Sequence, residues 1–369
     1  MSLFDLVRPG IFCLDAEKAH GLAIKALKSG LLPAPPAVAD SRLRLQVAGL
    51  DFPNPVGVAA GFDKNGEVPD ALLRLGFGFT EIGTVTPRPQ SGNAKPRIFR
   101  IVERQGVINR LGFNNDGHQS ALSRLQNRAR HGGIVGVNVG ANKDTADFAT
   151  DYVSGIANFA GLADYFTINI SSPNTPGLRN LQAADALSRL LGLVLAERDT
   201  QAKITGKRRP VFLKVAPDLD AVQIDEIAGI ARASHAEGGL DGIIATNTTL
   251  SRHGVEDLAN ADEAGGLSGK PLFERSTIIL ARLRMAMGSE IPVIGVGGID
   301  NAHTAIEKLK AGANLVQLYT GMIYRGPLIA QEINRGVCKE LDMRGMANVS
   351  DLSGTETNSW AARNLPEEA

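Results

Sequence analysis

Eight short β-rich runs that alternate with helix-like stretches constrain the fold of this chain most strongly. Their positions are 55–60, 79–87, 134–141, 165–173, 210–217, 241–249, 291–298 and 313–321. Runs that are apolar almost throughout are typical of parallel strands covered on both faces, and eight such strands close a barrel. The pattern therefore predicts the α/β class, as a (β/α)8 TIM barrel preceded by a small N-terminal helical segment.

A doubly wound open sheet is the alternative arrangement for strands that alternate with helices such as 183–198 and 221–236. That fold usually has fewer strands and opens with a turn of the GxGxxG type after its first strand. The first run here ends in AAGFDKNG instead, at residues 59–66. The sequence therefore favours the closed barrel.

The barrel is expected to occupy residues 43–340, between segments of different character. Residues 1–32 contain an apolar stretch and then a helix that Asp15 can cap and Gly30 can end. Residues 33–42 form a linker that opens with the stiff sequence PAPPA. Residues 345–369 are polar and lack periodicity, so we predict a poorly ordered tail.

Two stretches inside the barrel region depart from the alternation of strands and helices. LRLQVAGLDFP, residues 43–53, predicts a small hairpin before the first barrel strand. Residues 96–115, between the second and third barrel strands, contain two further β-like runs. We expect both stretches to be additions to the barrel.

Charge and cysteine content exclude several classes of function. Lys+Arg and Asp+Glu both number 39, so no net positive charge attracts nucleic acid. Cys13 and Cys338 lie far apart and outside any metal-binding spacing, which argues against a metal site and against a disulfide framework. No apolar run approaches the roughly 20 residues that span a bilayer, and the first apolar stretch lacks a signal-peptide cleavage pattern.

Unusual polar residues follow or interrupt the predicted strands. In a (β/α)8 barrel the active site lies at the carboxyl ends of the strands, and one Asn or Thr there is better explained as a turn or cap residue. Lys64 beside Asp63 is equally well explained as a surface ion pair. Asn138 and Lys214, however, interrupt apolar runs, where burial requires a polar partner. Taken together, the strand ends predict a site at the mouth of the barrel.

Glycine-rich turns after the last two strands indicate a phosphate site. GVGGID lies at residues 295–300 and YTGMIYRGP at residues 319–327. Glycine lets the backbone approach an anion closely, and barrels often bind phosphate with backbone N–H groups at this position. We therefore expect a phosphorylated cofactor in the barrel mouth.

The loop INISSPNTPGLRNL, residues 168–181, is a candidate catalytic loop without an obvious base. It follows a β-branched strand and contains no histidine, carboxylate or cysteine. On the residues alone, Ser172 is better explained as an ordinary turn residue before Pro173, because no His or Lys lies beside it in sequence to activate it. The sequence pattern therefore locates the loop but not the group that moves a proton.

A set of motifs in order resembles the dihydroorotate dehydrogenases over residues 1–340. The motifs are AAGFDKNG, INRLGFNN, INISSPNTPGLR, LKVAPD, TNTT, GGLSGKPL, GVGGI and QLYTG. So many matches in one order are not a chance resemblance. The catalytic loop has serine where class 1 enzymes have cysteine, and class 1 enzymes lack the N-terminal helical segment. The chain is therefore similar to class 2, whose members are quinone-dependent and membrane-associated.

The resemblance implies an FMN-dependent oxidoreductase of de novo pyrimidine (UMP) biosynthesis. It would oxidise (S)-dihydroorotate to orotate and pass electrons to a quinone. The implied partners are dihydroorotate or orotate, the quinone, and a membrane surface contacted by the N-terminal helices, with neither nucleic acid nor metal. The implied location is the cytoplasmic side of the cell membrane, as a peripheral membrane protein.

The family's ligand contacts carry over to matching positions of this sequence. The implied FMN contacts are Ala60, Gly61, Thr84, Asn138, Asn169, Lys214, Thr246, Gly269, Gly298, Tyr319 and Thr320. The implied substrate contacts are Lys64, Asn109, Arg110, Leu111, Gly112, Phe113, Asn169, Asn174, Asn247 and Thr248. Asparagine both donates and accepts hydrogen bonds, and Lys64 offers a charge to a carboxylate. Lys214 suits the pyrimidine edge of a flavin, where reduction builds up negative charge.

The resemblance also assigns the base that the residues alone did not. Ser172 would take a proton from C5 of dihydroorotate while a hydride leaves C6 for flavin N5. Thr175, three residues later, would be the first relay that passes the proton to water. Serine is a weak base in water, so we expect the loop to shield it from solvent.

Residues 1–32 are interpreted as a membrane and quinone segment. Their second helix carries an apolar stripe made of Ala19, Leu22, Ala23, Ala26 and Leu27. Packing on the barrel would explain one such stripe, but the preceding stretch is apolar too. Two short helices with exposed apolar faces predict an interfacial anchor, with Lys25 and Lys28 towards anionic headgroups. The resemblance implies a quinone passage between the helices, lined by His20, Arg100 and Tyr319.

Two other functions remain open at this point. One is a soluble FMN barrel oxidoreductase that uses fumarate or NAD as acceptor. Ser172 and the N-terminal helices speak against it. The other is a non-enzymatic flavin- or phosphate-binding protein whose helices recruit a partner. The complete set of polar residues at the strand ends speaks against that function.

Overall fold

The computed structural model describes residues 3–30, 36–128, 132–175 and 177–366. Its strands are β1 (Leu45–Val47), β2 (Leu50–Phe52), β3 (Val56–Asp63), β4 (Phe79–Val85), β5 (Ile98–Ile101), β6 (Gly106–Asn109), β7 (Ile134–Val139), β8 (Tyr165–Asn169), β9 (Val211–Val215), β10 (Gly242–Ala245), β11 (Gly266–Gly269), β12 (Val293–Val296) and β13 (Leu315–Leu318). Its helices are α1 (Leu3–Phe12), α2 (Ala16–Lys28), α3 (Pro69–Arg74), α4 (Gly117–Gln126), α5 (Phe148–Phe159), α6 (Ala184–Thr205), α7 (Ala221–Ala236), α8 (Phe273–Met287), α9 (Ala302–Lys310), α10 (Thr320–Arg325), α11 (Ile329–Arg344) and α12 (Thr357–Ala361).

Eight parallel strands close a barrel in the order β3, β4, β7, β8, β9, β10, β12 and β13, and β13 pairs back to β3. Each strand lies within or overlaps one of the eight predicted runs. Every residue of β4, β7, β8 and β9 is buried, as expected of strands covered by helices outside and by side chains inside. The predicted (β/α)8 barrel is confirmed.

The amino end of the barrel is closed by aromatic rings and by the β1–β2 hairpin predicted at 43–53. Phe79, Tyr165 and Phe212 are buried in one cluster with Phe52 of the hairpin. The ring centroids of Tyr165 and Phe212 are 5.5 Å apart, and Phe52 lies edge-on to Phe79 at 5.1 Å. We call this layer the barrel floor. It leaves the carboxyl end of the strands as the end where a ligand can enter.

The two β-like runs predicted within 96–115 form β5 and β6. Together with β11 they make a three-stranded antiparallel sheet in which β6 is the central strand. This small sheet belongs to the carboxyl end of the barrel, because Val107 and Asn109 of β6 and Ser268 of β11 line the cavity there.

The N-terminal segment forms two helices, α1 and α2. Asp15 caps α2 by accepting a hydrogen bond from the Lys18 backbone N–H at 3.0 Å, as the sequence predicts. α1 is attached to the barrel at Tyr324, whose ring lies 5.4 Å from that of Phe12. None of the described helices is both long enough and apolar enough to cross a membrane. Part of the predicted linker 33–42 lies outside the described residues.

The segment after Gly345 differs from the poorly ordered tail that we predicted. It forms a 3₁₀ turn at Val349–Leu352 and helix α12. Trp360 is 3% exposed, lies edge-on to Phe273 at 5.9 Å and donates from Nε1 to Glu307 at 3.1 Å. Isolated apolar residues anchor this segment to α8 and α9, and their spacing is too irregular for periodicity to reveal. The end of the predicted tail, at 367–369, lies outside the described residues.

Candidate active site

A continuous cavity of about 520 Å³ opens at the carboxyl end of the barrel. The strand ends line its inner part, with Ala60, Gly61, Thr84, Asn169, Lys214, Thr246, Gly298, Tyr319 and Thr320. Helices α1 and α2 line its outer part, with Phe4, Val7, Ile11, Phe12, Ala19, Leu22, Ala23, Ala26 and Leu27. One space therefore joins the polar mouth of the barrel to an apolar passage between the N-terminal helices.

A chain of hydrogen bonds fixes the polar side chains at the mouth. Thr84 Oγ1 donates to Asn138 Oδ1 at 2.6 Å and accepts from Asn169 Nδ2 at 2.9 Å. Asn247 Nδ2 donates to Asn169 Oδ1 at 3.3 Å and to Ser171 Oγ at 3.0 Å. Side chains from three strands and from the loops after β8 and β10 therefore hold one another. The polar groups that face the cavity keep fixed orientations, which is what binding a flat, polar ring requires.

Glu81 lies beneath this chain, inside the barrel and with no exposed surface. Its Oε1 accepts a hydrogen bond from Asn138 Nδ2 at 2.7 Å. Its Oε2 accepts from Tyr165 OH at 3.0 Å, Thr167 Oγ1 at 3.0 Å and Gln317 Nε2 at 2.9 Å. Four donors therefore converge on one carboxylate, and this satisfies a buried group that acts only as an acceptor when ionised.

Lys214 on β9 is a cationic side chain at the wall of the cavity. It is 5% exposed. Burial lowers the pKa of its amine, and the negative charge of Glu81 acts in the opposite direction. A ligand that carries or develops negative charge next to Lys214 would compensate for the water that burial has removed.

The turn after β12 fits the phosphate site that the glycines predict. Gly298 has a φ of +74°, and a Cβ there would lie 2.3 Å from the Phe273 Cα, so only glycine is accommodated. Behind the turn, Ser276 Oγ lies 3.2 Å from the Gly297 carbonyl and accepts from the buried Lys308 Nζ at 2.6 Å. Gly297 and Gly298 both line the cavity. Ser276 therefore holds the backbone of this turn on one side, and the other side of the turn faces the cavity.

The loop after β8 brings Ser172 to the cavity wall. Ser172 is 5% exposed and lines the cavity together with Pro173 and Asn174. Its Oγ accepts a hydrogen bond from the Asn174 backbone N–H at 3.2 Å. The Asn174 side chain in turn donates to the Asn109 carbonyl at 3.1 Å. The loop is therefore tied to β6, and the serine hydroxyl is largely removed from bulk water.

Lys64 follows β3 and lines the same cavity. Asp63 is engaged elsewhere, because it is 1% exposed and accepts from the backbone N–H groups of Glu67 and Val68, both at 2.8 Å. The surface ion pair that the sequence allowed for Lys64 and Asp63 is therefore not formed. Burial lowers the pKa of Lys64 to about 8, so the side chain is still mainly a cation at neutral pH.

The three residues predicted for the quinone all line the cavity where the passage meets the barrel mouth. Tyr319 OH lies 3.4 Å from His20 Nδ1, and the Phe62 ring lies edge-on to both rings. Burial, together with the charge of Lys64, lowers the pKa of His20 to about 3, so its imidazole is neutral at physiological pH. Arg100 donates to the backbone carbonyls of Phe12, the last residue of α1, and of Leu14, at 3.2 Å and 2.9 Å.

Three of the predicted contact residues, all of them described, do not line the cavity. Asn138 lies behind Thr84 and accepts a hydrogen bond from its hydroxyl, so it orients Thr84 without lining the cavity itself. The Arg110 guanidinium pairs with Glu263 at 2.5 Å, so its side chain is already engaged outside the cavity. Thr175 is 4% exposed, and its relay role stays a prediction.

Sequence reasoning missed two buried ionisable residues that support the site, Glu81 and Lys308. Both are fully buried. A signal for Glu81 was present, because it interrupts the apolar run 79–87 just as Lys214 interrupts its own run. Lys308 lies within helix α9, where a charged residue is ordinary. Its position carried no signal.

The sequence model of the family described as dihydroorotate dehydrogenase matches residues 42–341. The chain belongs to the dihydroorotate dehydrogenase family. The family resemblance read from the motifs is thereby confirmed. The match begins just before the β1–β2 hairpin and ends within α11, so it covers the whole barrel.

Curated dihydroorotate dehydrogenases resemble this chain along nearly its whole length. The protein of Brucella anthropi named dihydroorotate dehydrogenase (quinone) is 59% identical over 364 residues, which cover 98% of this chain and 99% of the relative. The protein of the same name in Sinorhizobium fredii is 58% identical over 360 residues and 98% of each chain. The likeness therefore includes α1 and α2 as well as the barrel.

Solved structures of dihydroorotate dehydrogenase share this fold. The enzyme from Eimeria tenella in complex with ferulenol has a TM-score of 0.88 and 37% sequence identity, over 95% of this chain and 98% of that chain. The ligand-free enzyme from the same organism has a TM-score of 0.87 and 39% identity, over 93% and 99%. Sequence and backbone therefore agree on the family.

Proposed function

We propose that this chain oxidises (S)-dihydroorotate to orotate and passes the electrons to a quinone, as a step of pyrimidine biosynthesis. The continuous cavity carries the proposal, because it joins a polar mouth containing Ser172 and Lys64 to an apolar passage between α1 and α2. A soluble enzyme that reduces fumarate or NAD needs no apolar passage of this kind. Relatives at 58–59% identity that are named for the quinone reaction support the same conclusion.

The residues of the barrel mouth fit FMN as the cofactor. Lys214 offers a cation, the chain of Thr84 and Asn169 offers fixed donors and acceptors, and the turn at Gly297 and Gly298 offers backbone to a phosphate. Bound FMN would accept the hydride from dihydroorotate at N5. Glu81 and Asn138 would hold this polar set from beneath, because neither lines the cavity and Asn138 bonds both Thr84 and Glu81.

On the substrate side, Ser172 is proposed to take the proton from C5 of dihydroorotate. Lys64 would bind the substrate carboxylate as a cation, and Asn109, Asn174 and Asn247 would pair with its amide groups. The 5% exposure of Ser172 supports this role, because exclusion of water favours transfer to an otherwise weak base. Onward relay through Thr175 is part of the same proposal.

The passage between α1 and α2 is proposed to admit a quinone from the cytoplasmic side of the cell membrane. Leu6 and Leu22 are 67% and 52% exposed, so apolar surface is available to lipid. His20 would be a neutral imidazole, because its pKa of about 3 leaves it uncharged, so one ring nitrogen donates a hydrogen bond and the other accepts one. Arg100 and Tyr319 complete the polar end of the passage.

The choice of electron acceptor tests the proposed function. We expect the purified full-length protein to be yellow and to bleach when dihydroorotate is added without oxygen. A soluble quinone should restore the colour, whereas fumarate and NAD should not. Recovery with fumarate or NAD would contradict the quinone assignment, and a yellow protein that dihydroorotate does not bleach would contradict the reaction itself.

Lys214→Ala should lower the reduction potential of bound FMN and weaken its retention. The substitution removes a cation and leaves Glu81 as an unbalanced negative charge nearby. A lost hydrogen bond from a charged donor corresponds to roughly 10- to 100-fold in FMN affinity. Spectral titration against a reference dye measures the potential. Lys207→Ala, in the exposed loop before β9, is the control, and equal potentials in both variants would remove Lys214 from this role.

A further inference from the structure

Helix α2 is joined to the barrel by a two-pronged ion pair that the proposed reaction does not use. The Glu17 carboxylate on α2 accepts from Arg97 Nη2 at 2.6 Å and from Arg97 Nε at 3.1 Å. Arg97 is 5% exposed, although it lies just before β5 in a loop. Charge-assisted hydrogen bonds in which a guanidinium forks onto a carboxylate are stronger and more directional than those between neutral groups.

The other end of Arg97 reaches towards the catalytic loop. Its Nη1 donates to the Ser91 carbonyl at 2.5 Å and to the Asn93 carbonyl at 2.8 Å. The Asn93 side chain then donates to the Arg110 carbonyl at 3.0 Å and to the Asn174 carbonyl at 3.4 Å. Asn174 belongs to the loop that carries Ser172. An unbroken series of polar contacts therefore runs from α2 to the candidate base.

Glu17 also acts on Lys64 through its charge. The charged groups that influence Lys64 are Glu17, Arg97 and Asp63, and His20 faces it as a neutral ring. Among these charges Glu17 has the largest effect, and it favours the protonated amine against the burial that lowers its pKa to about 8. Arg97 acts with the opposite sign. The N-terminal helix therefore supplies a negative charge to the substrate end of the cavity.

We propose that Glu17 and Arg97 are positioning residues through which α2 holds the catalytic loop in place and keeps Lys64 able to bind a carboxylate. The inference rests on the proposed function for the roles of Ser172 and Lys64. It makes α2 a part of the dihydroorotate half of the reaction as well as a wall of the quinone passage. The two ends of the cavity are then coupled by direct contacts.

Orotate titration of full-length, FMN-loaded Glu17→Gln tests the charge role. Binding of the orotate carboxylate needs the Lys64 cation, which is present below the pKa of about 8 and lost as the pH rises through it. Without the Glu17 charge the pKa of Lys64 falls, so the affinity for orotate should begin to fall at a lower pH than in the parent protein. A fall of one pKa unit would weaken orotate binding about fivefold at pH 8 and about tenfold well above that pH.

Arg97→Gln separates the charge role from the positioning role. This change removes a cation near Lys64, so its pKa rises and orotate binding should persist to higher pH than in the parent. The same change cuts the contacts to Ser91 and Asn93, so bleaching by saturating dihydroorotate should slow by about tenfold, since loss of positioning has effects of this order. If Glu17 and Arg97 had only a structural role, the two substitutions would not shift the pH at which orotate binding is lost in opposite directions.

Glu67→Gln is the matched control, because Glu67 forms a separate ion pair with α2, to Lys28 at 3.2 Å, whereas Glu17 pairs with Lys95 at 3.3 Å as well as with Arg97. It should leave both orotate binding and bleaching unchanged. Glu17→Asp keeps the charge, so it should lose orotate binding at the same pH as the parent, although its shorter side chain slows bleaching.

The inference would be overturned if Glu17→Gln and Arg97→Gln both lost orotate binding at the parent's pH and bleached at the parent's rate. If orotate binding shifts as expected but dihydroorotate never bleaches the protein, the coupling of α2 to the substrate end of the cavity would stand. The proposed reaction would then be rejected.

Discussion

Ser172→Ala is expected to slow the bleaching of the flavin by dihydroorotate by about 10²–10⁴-fold, the usual contribution of a general base. FMN should stay bound, because the hydroxyl accepts its hydrogen bond from the Asn174 backbone and not from a residue of the FMN set. Stopped-flow absorbance without oxygen measures this step separately from quinone reduction. The full loss should be visible in a single turnover.

The control for this variant is Ser123→Ala, on the exposed side of α4 and away from the cavity. It should bleach at the parent rate. If Ser172→Ala also reduces its flavin at the parent rate, at neutral and at high pH alike, Ser172 is not the base. The proton would then have to leave to water, and the loop would serve only to shield the site.

Removal of residues 1–32 is expected to abolish quinone reduction and membrane association. The deletion takes away α1 and α2, which form the walls of the passage and carry its exposed apolar residues. Dihydroorotate should still bleach the flavin, though more slowly and with weaker substrate binding, because Glu17 is lost with α2. Vesicle flotation and separate assays of the two half-reactions measure these effects. A truncated protein that remains fully active with quinone would contradict both the anchor and the passage.

Leu6→Asp distinguishes membrane contact from formation of the quinone passage, the two roles of the deleted segment. Leu6 is 67% exposed and does not line the cavity. A charge there should therefore weaken binding to lipid vesicles while a short, soluble quinone is still reduced at the parent rate. If the soluble quinone also fails to react, α1 acts chiefly by shaping the passage, and lipid contact is secondary.

The barrel could be predicted because its strands are apolar runs whose alternation with helices is local in sequence. The position of the site followed from the same property, since polar residues such as Lys214 stand out inside an apolar run. Ser172 could not be chosen from the residues alone, because its surroundings are assembled from β6 and from the loop after β8. Only the family resemblance singled it out.

Contacts between distant segments were beyond sequence reasoning. Glu17 and Arg97 are 80 positions apart, and neither one interrupts an apolar run or forms part of a motif. The folding of the last segment was missed for a related reason. Trp360 is one apolar residue among polar ones. It holds the last segment in place through contacts with Phe273 and Glu307, which lie far away in the chain. Such pairs become visible only in three dimensions.

The barrel floor determines how the interior charges respond to dissolved salt. Phe79, Tyr165 and Phe212 seal the amino end, and Glu81 and Lys214 are 0% and 5% exposed. Mobile ions screen charges that they can approach, over about 10 Å at 0.1 M salt, and screen buried charges far less. The field of Glu81 and Lys214 on a ligand in the mouth is therefore nearly independent of ionic strength, unlike an exposed pair such as Lys28 with Glu67. A flavin bound in the mouth would therefore be insulated from changes in the surrounding electrolyte.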